Sequence, residues 1–408
     1  MIKAYKYRLY PNKEQAHLMQ KHFGCVRFLY NKGLETKIKE YQTNNKTLSC
    51  HDLINNMLKQ LKKDNEWLQE VNSQSLQMSL RNLDNAYTNF FRNKKGFPKF
   101  KSKHDNKHSF QCPQHCKINF DDNKITIPKI KNIKAKLHRK FDVKDDGQIK
   151  TVTISKTCSG KYFASILVDD GVELPKKYKL NKKKAIGIDL GLKDYLVTSN
   201  GLRVQNPKHL KKHQKKLSYL QYRFSKTKKE SKNRERLRIK LAKQHERVAN
   251  CRNDFLHKLT HQLVVCDSQT TTFCIEDLSV TNMMKNHCLA RSIGDAAWGT
   301  FVQFLDYKCD WSGKNLIDIG RFEPSSKTCN VCGKIKHDLT LKDRNWICED
   351  CGSYIDRDPN AACNVKDFAF SRQNLIRIKK DRDGSSRIKT LVEPVALATT
   401  LKQEAPAL

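Results

Sequence analysis

Ala185-Ile186-Gly187-Ile188-Asp189-Leu190-Gly191-Leu192-Lys193-Asp194 decides the fold. The apolar run predicts a strand over 185–190 that delivers the carboxylate of Asp189 at its end. A second strand is expected at 194–199, a turn at Ser199-Asn200-Gly201 and a third strand at 202–205. Further along, Thr272-Phe273-Cys274-Ile275 ends in Glu276, and Asp358 lies in Asp356-Arg357-Asp358-Pro359-Asn360-Ala361-Ala362. Strands at 270–276 and 315–322, with helices at about 290–312, complete a three-layer α/β core. Two carboxylates on strands and a third at a helix start suit a divalent-metal phosphodiesterase. Mg²⁺ takes hard oxygen ligands and keeps positions open for phosphate. Two such ions about 3.5–4 Å apart stabilise the attacking and leaving oxygens of a displacement.

Each acid has a plainer reading. Asp189 could be a turn former, Glu276 beside Asp277 a solvated loop charge, and Asp358 before Pro359 a helix N-cap. Together, in this order and setting, they favour catalysis, with Asp194 and Asp356 near enough to assist or substitute.

The strongest local motif is Cys329-Asn-Val-Cys332, fifteen residues, then Cys348-Glu-Asp-Cys351. This is zinc-ribbon spacing. Two knuckles, each closed by a glycine (Gly333, Gly352), can wrap four thiolates around one structural Zn²⁺ with no open position. A second cluster, His108, Cys112, His115 and Cys116, lacks such spacing and reads as a polar loop with reduced thiols.

Lys and Arg number 79 against 42 Asp and Glu, a net charge of +37 over 408 residues. So one-signed a charge asks for a polyanion, and nucleic acid is the evident one. No apolar run or anchor supports a membrane partner, and no signal peptide is visible, so reduced cysteines and a cytoplasmic, nucleoid-associated bacterial or archaeal protein are expected. From Arg203 to Arg252 there are eighteen Lys/Arg and three acids. The length and sign favour a polyanion-facing helix hairpin, with Lys228, Lys229, Arg234 and Arg238 as backbone contacts. Residues 3–9 alternate like a strand, residues from Asn12 to about Arg92 carry helical spacing closed by a turn at Gly96-Phe97-Pro98-Lys99-Phe100, and 107–175 read as short strands of a small barrel or sandwich. The first strand has no partner among the helices and is expected to join that barrel, which makes the helices an insertion. Residues 371–408 lose pattern and read as a disordered tail.

Gly187-Ile188-Asp189-Leu190-Gly191-Leu192-Lys193-Asp194, Ile275-Glu276-Asp277-Leu278, the paired CxxC motifs and Asp356-Arg-Asp358-Pro-Asn360-Ala361-Ala362-Cys-Asn364 together resemble the TnpB family, as do Gly96-Phe97-Pro98-Lys99-Phe100-Lys101 and Tyr7-Arg8-Leu9-Tyr10-Pro11. These are transposon-encoded RNA-guided DNA nucleases related to type V CRISPR effectors, and the likeness runs from about residue 3 to 366. It implies an α+β multidomain protein. An RNase H-like RuvC nuclease (181–325 and 354–370) would carry an inserted zinc ribbon (326–353). A helical recognition lobe (13–105) would be inserted in a wedge-like β-barrel (1–12 and 106–180). It implies Asp189, Glu276 and Asp358 as ligands of two Mg²⁺. It also implies one guide RNA per protein, made from the transposon end, and double-stranded target DNA carrying a short motif that the protein reads. Gln74, Gln77 and Arg81 are the candidates for reading it, since Gln and Arg suit base edges in the major groove.

Overall fold

A computed structural model describes residues 1–105, 108–141, 147–321, 323–340 and 343–371. The expected tail lies outside these, apart from residue 371. The chain forms two units, Met1–Glu173 with Thr227–Lys243, and Leu174–Lys226 with Gln244–Leu408.

In the first unit, β1 (Ile2–Tyr10) lies at the centre of an antiparallel sheet with β2 (His108–Cys112), β3 (Lys117–Asn119), β4 (Lys124–Ile127), β5 (Ile130–Lys136), β6 (Gln148–Lys156) and β7 (Tyr162–Asp169), in the order β2-β6-β7-β1-β5-β4-β3. β1 pairs with β7 from Ile2↔Asp169 to Leu9↔Tyr162, and with β5 from Arg8↔Lys136. The first strand thus finds its partners more than 120 residues away, and the helices between are an insertion. Among the described residues no ladder joins β2 to β3, so the hydrogen bonds leave the expected barrel open. Alternation puts Tyr7, Leu9, Val152, Ile154, Ala164, Ile166 and Val168 inside.

The inserted helices are α1 (Lys13–Asn44), α2 (Cys50–Asp52), α3 (Lys59–Asp64) and α4 (Ser73–Asn93). α1 starts on a capping box: the Gln15 N–H donates to Asn12 Oδ1 at 2.7 Å, and the Asn12 N–H to Gln15 Oε1 at 3.0 Å. Its Met19, Phe23, Leu29 and Leu34 pack in one core with Leu76, Leu80 and Leu83 of α4.

The second unit is built on β8 (Ala185–Leu190), β9 (Asp194–Thr198), β10 (Arg203–Gln205), β11 (Thr272–Glu276) and β12 (Asn315–Ile319), in the order β10-β9-β8-β11-β12. The first three strands are antiparallel; β8, β11 and β12 are parallel. Its helices are α5 (His209–Ser225), α6 (Lys232–His261, whose first residues belong to the other unit), α7 (Val280–Met283), α8 (Ala290–Ala296), α9 (Trp298–Trp311) and α10 (Arg357–Ser371). Ile186, Ile188, Phe273 and Ile275 face Leu256, Leu259, Phe301 and Leu305 of α6 and α9. Cys274, Ile317 and Ile319 face Val365 and Ala369 of α10. These two cores, one on each side of the sheet, make the three layers. Between β12 and α10 the chain adds a hairpin of β13 (Asn345–Ile347) and β14 (Tyr354–Asp356).

Candidate active site and metal centre

Strand alternation decides where the acids point. Ile186 and Ile188 turn to the α6/α9 side, so Gly187 and Asp189 turn to the α10 side. On β11, Phe273 and Ile275 take the first side, so Glu276 shares the second with Cys274. The parallel register pairs Ile188 with Ile275, so the next residues along, Asp189 and Glu276, are neighbours. Gly187 lets α10 approach: a Cβ there would meet the Ala362 carbonyl and lie 2.8 Å from Lys366 N. The helix pressed into that space carries Asp358 in its first turn.

Burial, then the charges of Glu276 and Asp358, push the Asp189 carboxyl up to about 8, against the opposing pull of Arg357 and Arg344. Burial also raises Glu276, although it accepts a hydrogen bond from Ser325 Oγ. Asp358 pairs with Arg344 at 3.3 Å. Asp189 and Glu276, desolvated and side by side, fit a hard cation as their counter-charge. The three are held apart: among the described residues, the four ribbon cysteines are the group of three or more ligands whose donor atoms all come within 4.8 Å of one another.

The N-cap reading of Asp358 does not hold. α10 begins at Arg357, and Asp356 Oδ1 accepts from the Asp358 N–H at 3.4 Å, so Asp356 sits at the helix start. Asp356 and Asp194 are both paired with Arg203, Asp194 at 3.7 Å. Both are thus tied to one guanidinium at the end of the sheet that carries Asp189.

In the ribbon, both knuckles repeat one pattern. The Gly333 N–H donates to Cys329 O at 2.8 Å and the Gly352 N–H to Cys348 O at 2.9 Å, with φ of 81° and 67° at the two glycines. Sγ separations are 3.7 Å for Cys329–Cys351 and 3.5 Å for Cys332–Cys348, and all four thiols are free. A tetrahedral site with Zn–S near 2.3 Å has edges of about 3.8 Å, so the four sulfurs fit one zinc ion. The Ser353 hydroxyl and N–H favour the thiolate at Cys351, while Cys332, beside the other three thiols, is pushed up to about 12, so the close-set sulfurs share their protons until a cation replaces them.

Two residues inside the recognised motif escaped notice. Asn360 Nδ2 donates to Thr328 O at 2.7 Å, and Asn360 Oδ1 accepts from the Asn330 N–H at 2.9 Å. Asn364 Nδ2 donates to Ser325 O at 2.7 Å and Thr328 O at 2.6 Å. Both are buried on α10, one turn apart, and they fasten the first knuckle to the helix that carries Asp358. Their i, i+4 spacing was the available signal.

The remaining candidates divide. Arg81 is exposed on α4, while Gln74 and Gln77 are half-buried, and Gln74 Nε2 donates to Gln114 Oε1 at 2.6 Å. Lys228 and Lys229 are exposed; Arg234 Nη1 donates to Thr227 O at 2.9 Å, and Arg238 forms a two-point pair with Glu235 at 2.7 Å. His108 and Cys112 lie on β2 and not in a polar loop, and Cys112 is buried in the core with its sulfur 3.5 Å from Ser75 Oγ. No helix among the described residues is long and apolar enough to cross a membrane.

A five-stranded mixed sheet in the order β10-β9-β8-β11-β12, covered by helices on both sides, is a RuvC-like fold. Residues 165–287 match the family model described as "Probable transposase" (OrfB of IS605), 298–365 the "Cas12f1-like, TNB domain", and 1–46 a "Helix-turn-helix domain". In the last span the structure has one strand followed by one long helix. A "Putative RNA-guided DNA endonuclease" of Streptomyces pristinaespiralis is 36% identical over 371 residues, covering 89% of this chain and 88% of the relative. The "Putative RNA-guided DNA endonuclease InsQ" of Escherichia coli K12 is 29% identical over 380 residues, covering 89% and 91%. A solved Cas12f1–sgRNA–target DNA complex aligns with 90% of this chain and 98% of its own at 14% identity and a TM-score of 0.48. The chain belongs to the TnpB family.

Proposed function

We propose that this chain is a transposon-encoded, RNA-guided DNA endonuclease that hydrolyses phosphodiesters at a RuvC site formed by Asp189, Glu276 and Asp358. The observation that carries the reading is that Asp189 and Glu276 lie side by side on adjacent strands, on the face covered by the helix whose first turn carries Asp358, with Asp189 raised to about 8 by burial and by the other two. Family membership and relatives of matching length support the rest.

The three carboxylates would hold two Mg²⁺, whose chemistry is to activate water and offset charge on the leaving oxygen. Ser325 orients Glu276, and Arg344 occupies the cationic place beside Asp358. Asn360 and Asn364 keep the ribbon seated on α10, so a zinc ion in Cys329, Cys332, Cys348 and Cys351 would stiffen the helix that aims Asp358. In this reading 13–105 is the recognition lobe, 1–12 with 106–180 the wedge, 181–325 with 354–370 the RuvC nuclease and 326–353 the ribbon. Of the candidates for reading a target-adjacent motif, Arg81 is the exposed one. A guide RNA from the transposon end would pair with one DNA strand and supply the sequence specificity, by analogy with other RNA-guided effectors.

The test is to purify the protein from cells carrying its flanking DNA, sequence any RNA that accompanies it, and offer a matching DNA duplex with Mg²⁺. A discrete RNA and guide-dependent cuts, lost in Asp189→Ala, are expected. Wild-type protein that carries such RNA and binds the target yet never cuts would overturn the nuclease reading in favour of a non-cleaving regulator. Strand transfer without RNA would identify a transposase.

A further inference from the structure

We propose that the outward face of α5 is a stacking track that binds single-stranded DNA leading to the carboxylate site. The proposal rests on the nuclease reading only for the identity of the strand; the track itself is argued from the helix.

α5 has two opposed stripes. Leu210, His213, Leu217, Leu220 and Phe224, spaced by threes and fours, turn inward, and Leu217 and Leu220 are buried. Lys212, Lys215, Tyr219, Tyr222 and Lys226 follow the same spacing on the opposite side, and all are exposed. A solvated helix face has no need of aromatic rings, yet Tyr219 is 57% and Tyr222 62% exposed. They add nothing to the core. Each ring is steadied from its own helix: Arg223 lies 5.8 Å from the Tyr219 ring centre, and Lys226 5.8 Å from that of Tyr222. Three residues apart, the rings are offset by about 4.5 Å along the axis.

Charge and position select the occupant. α5 has no acidic residue, so the stripe fits a polyanion. Cations alone would serve a duplex, whose base faces are hidden. Aromatic faces set among cations suit a strand with unpaired bases, which stack on the rings while its phosphates meet the lysines. β10 ends at Gln205 opposite Asp194, the end of the sheet where β8 delivers Asp189, and α5 begins four residues later. A strand lying along α5 is therefore led to the end of the sheet where DNA is cut, which favours DNA over RNA as its occupant.

The test uses the full chain stripped of nucleic acid at high salt, with labelled oligo-dT, oligo-U of equal length, and an abasic DNA strand of equal length. Tyr219→Ala/Tyr222→Ala should weaken oligo-dT binding by about tenfold per ring and leave the abasic strand unchanged. Tyr219→Phe/Tyr222→Phe should restore binding, since the phenyl face suffices. Equal losses on oligo-dT and abasic DNA, or no loss on either, would overturn the stacking track. A loss confined to oligo-U would overturn the choice of DNA. The assay needs neither guide nor cleavage, so absence of nuclease activity in the wild type would sink the endonuclease reading without touching this result.

Discussion

Asp189→Asn should make the metal-free protein more stable while removing its activity. The carboxyl stands at about 8 in the folded chain against 3.8 ordinarily. Between those values the folded state holds a proton that the unfolded state has lost, so stability falls as pH rises from about 4 to 8 and levels off above. At pH 7 the gap of just over three units corresponds to about 4 kcal/mol at most. Water reaching this half-buried side chain reduces that to about 2 kcal/mol. An asparagine of the same shape carries no such cost. In EDTA, urea unfolding with hydrogen exchange at the Ile186 and Ile188 amides should show the variant about 2 kcal/mol more stable at pH 7 and little different at pH 4. Mg²⁺ should then stabilise the wild type and leave the variant unmoved. Curves for the two proteins that run parallel from pH 4 to 8 would refute the claim that Asp189 is desolvated and repelled by the other two acids.

Asp358→Asn should leave α10 intact, because Asp356 sits at its start, yet should abolish guide-directed cleavage with target binding retained; near-normal cutting would remove Asp358 from the site. Chelation or Cys348→Ser should release about one Zn²⁺ per chain, measured by a colorimetric dye, and expose the Trp346 core of the ribbon to solvent, seen as a fluorescence change. Asn364→Ala leaves the buried Ser325 carbonyl without its side-chain donor and the Thr328 carbonyl with Asn360 alone, at a cost of about 1–3 kcal/mol, and should speed zinc loss to a chelator; an unchanged rate would mean the knuckle does not depend on Asn364. Gly187→Ala should cost about 1–3 kcal/mol by forcing α10 off the sheet and should lower cleavage by moving Asp358, with RNA binding unaffected.

What could be read from the sequence was what strong local chemistry writes. The CxxC pairs carry metal geometry in their spacing, and the sulfurs stand 3.5 and 3.7 Å apart where four ligands of one ion should. The strands ending in Asp189 and Glu276 appear where their apolar runs placed them, because parallel strands buried on both faces leave little freedom of register. The surface was less legible. Polar side chains are placed by neighbours that periodicity does not reveal: Arg234 donates to Thr227 O, and Gln74 to Gln114, forty residues away. The same blindness hid Asn360 and Asn364, which look like ordinary helix polars until the knuckle carbonyls arrive above them. It also hid the two faces of α5, where a cationic helix and an aromatic one are written over each other in the same seventeen residues. Only the buried stripe of Leu217 and Leu220 separates them, since it fixes which side is inward and so leaves Tyr219 and Tyr222 outside. Side chains that make little local sense to the fold, such as exposed rings and buried repelling acids, are where a sequence departs from what stability asks, and in this chain they gather at one end of one sheet.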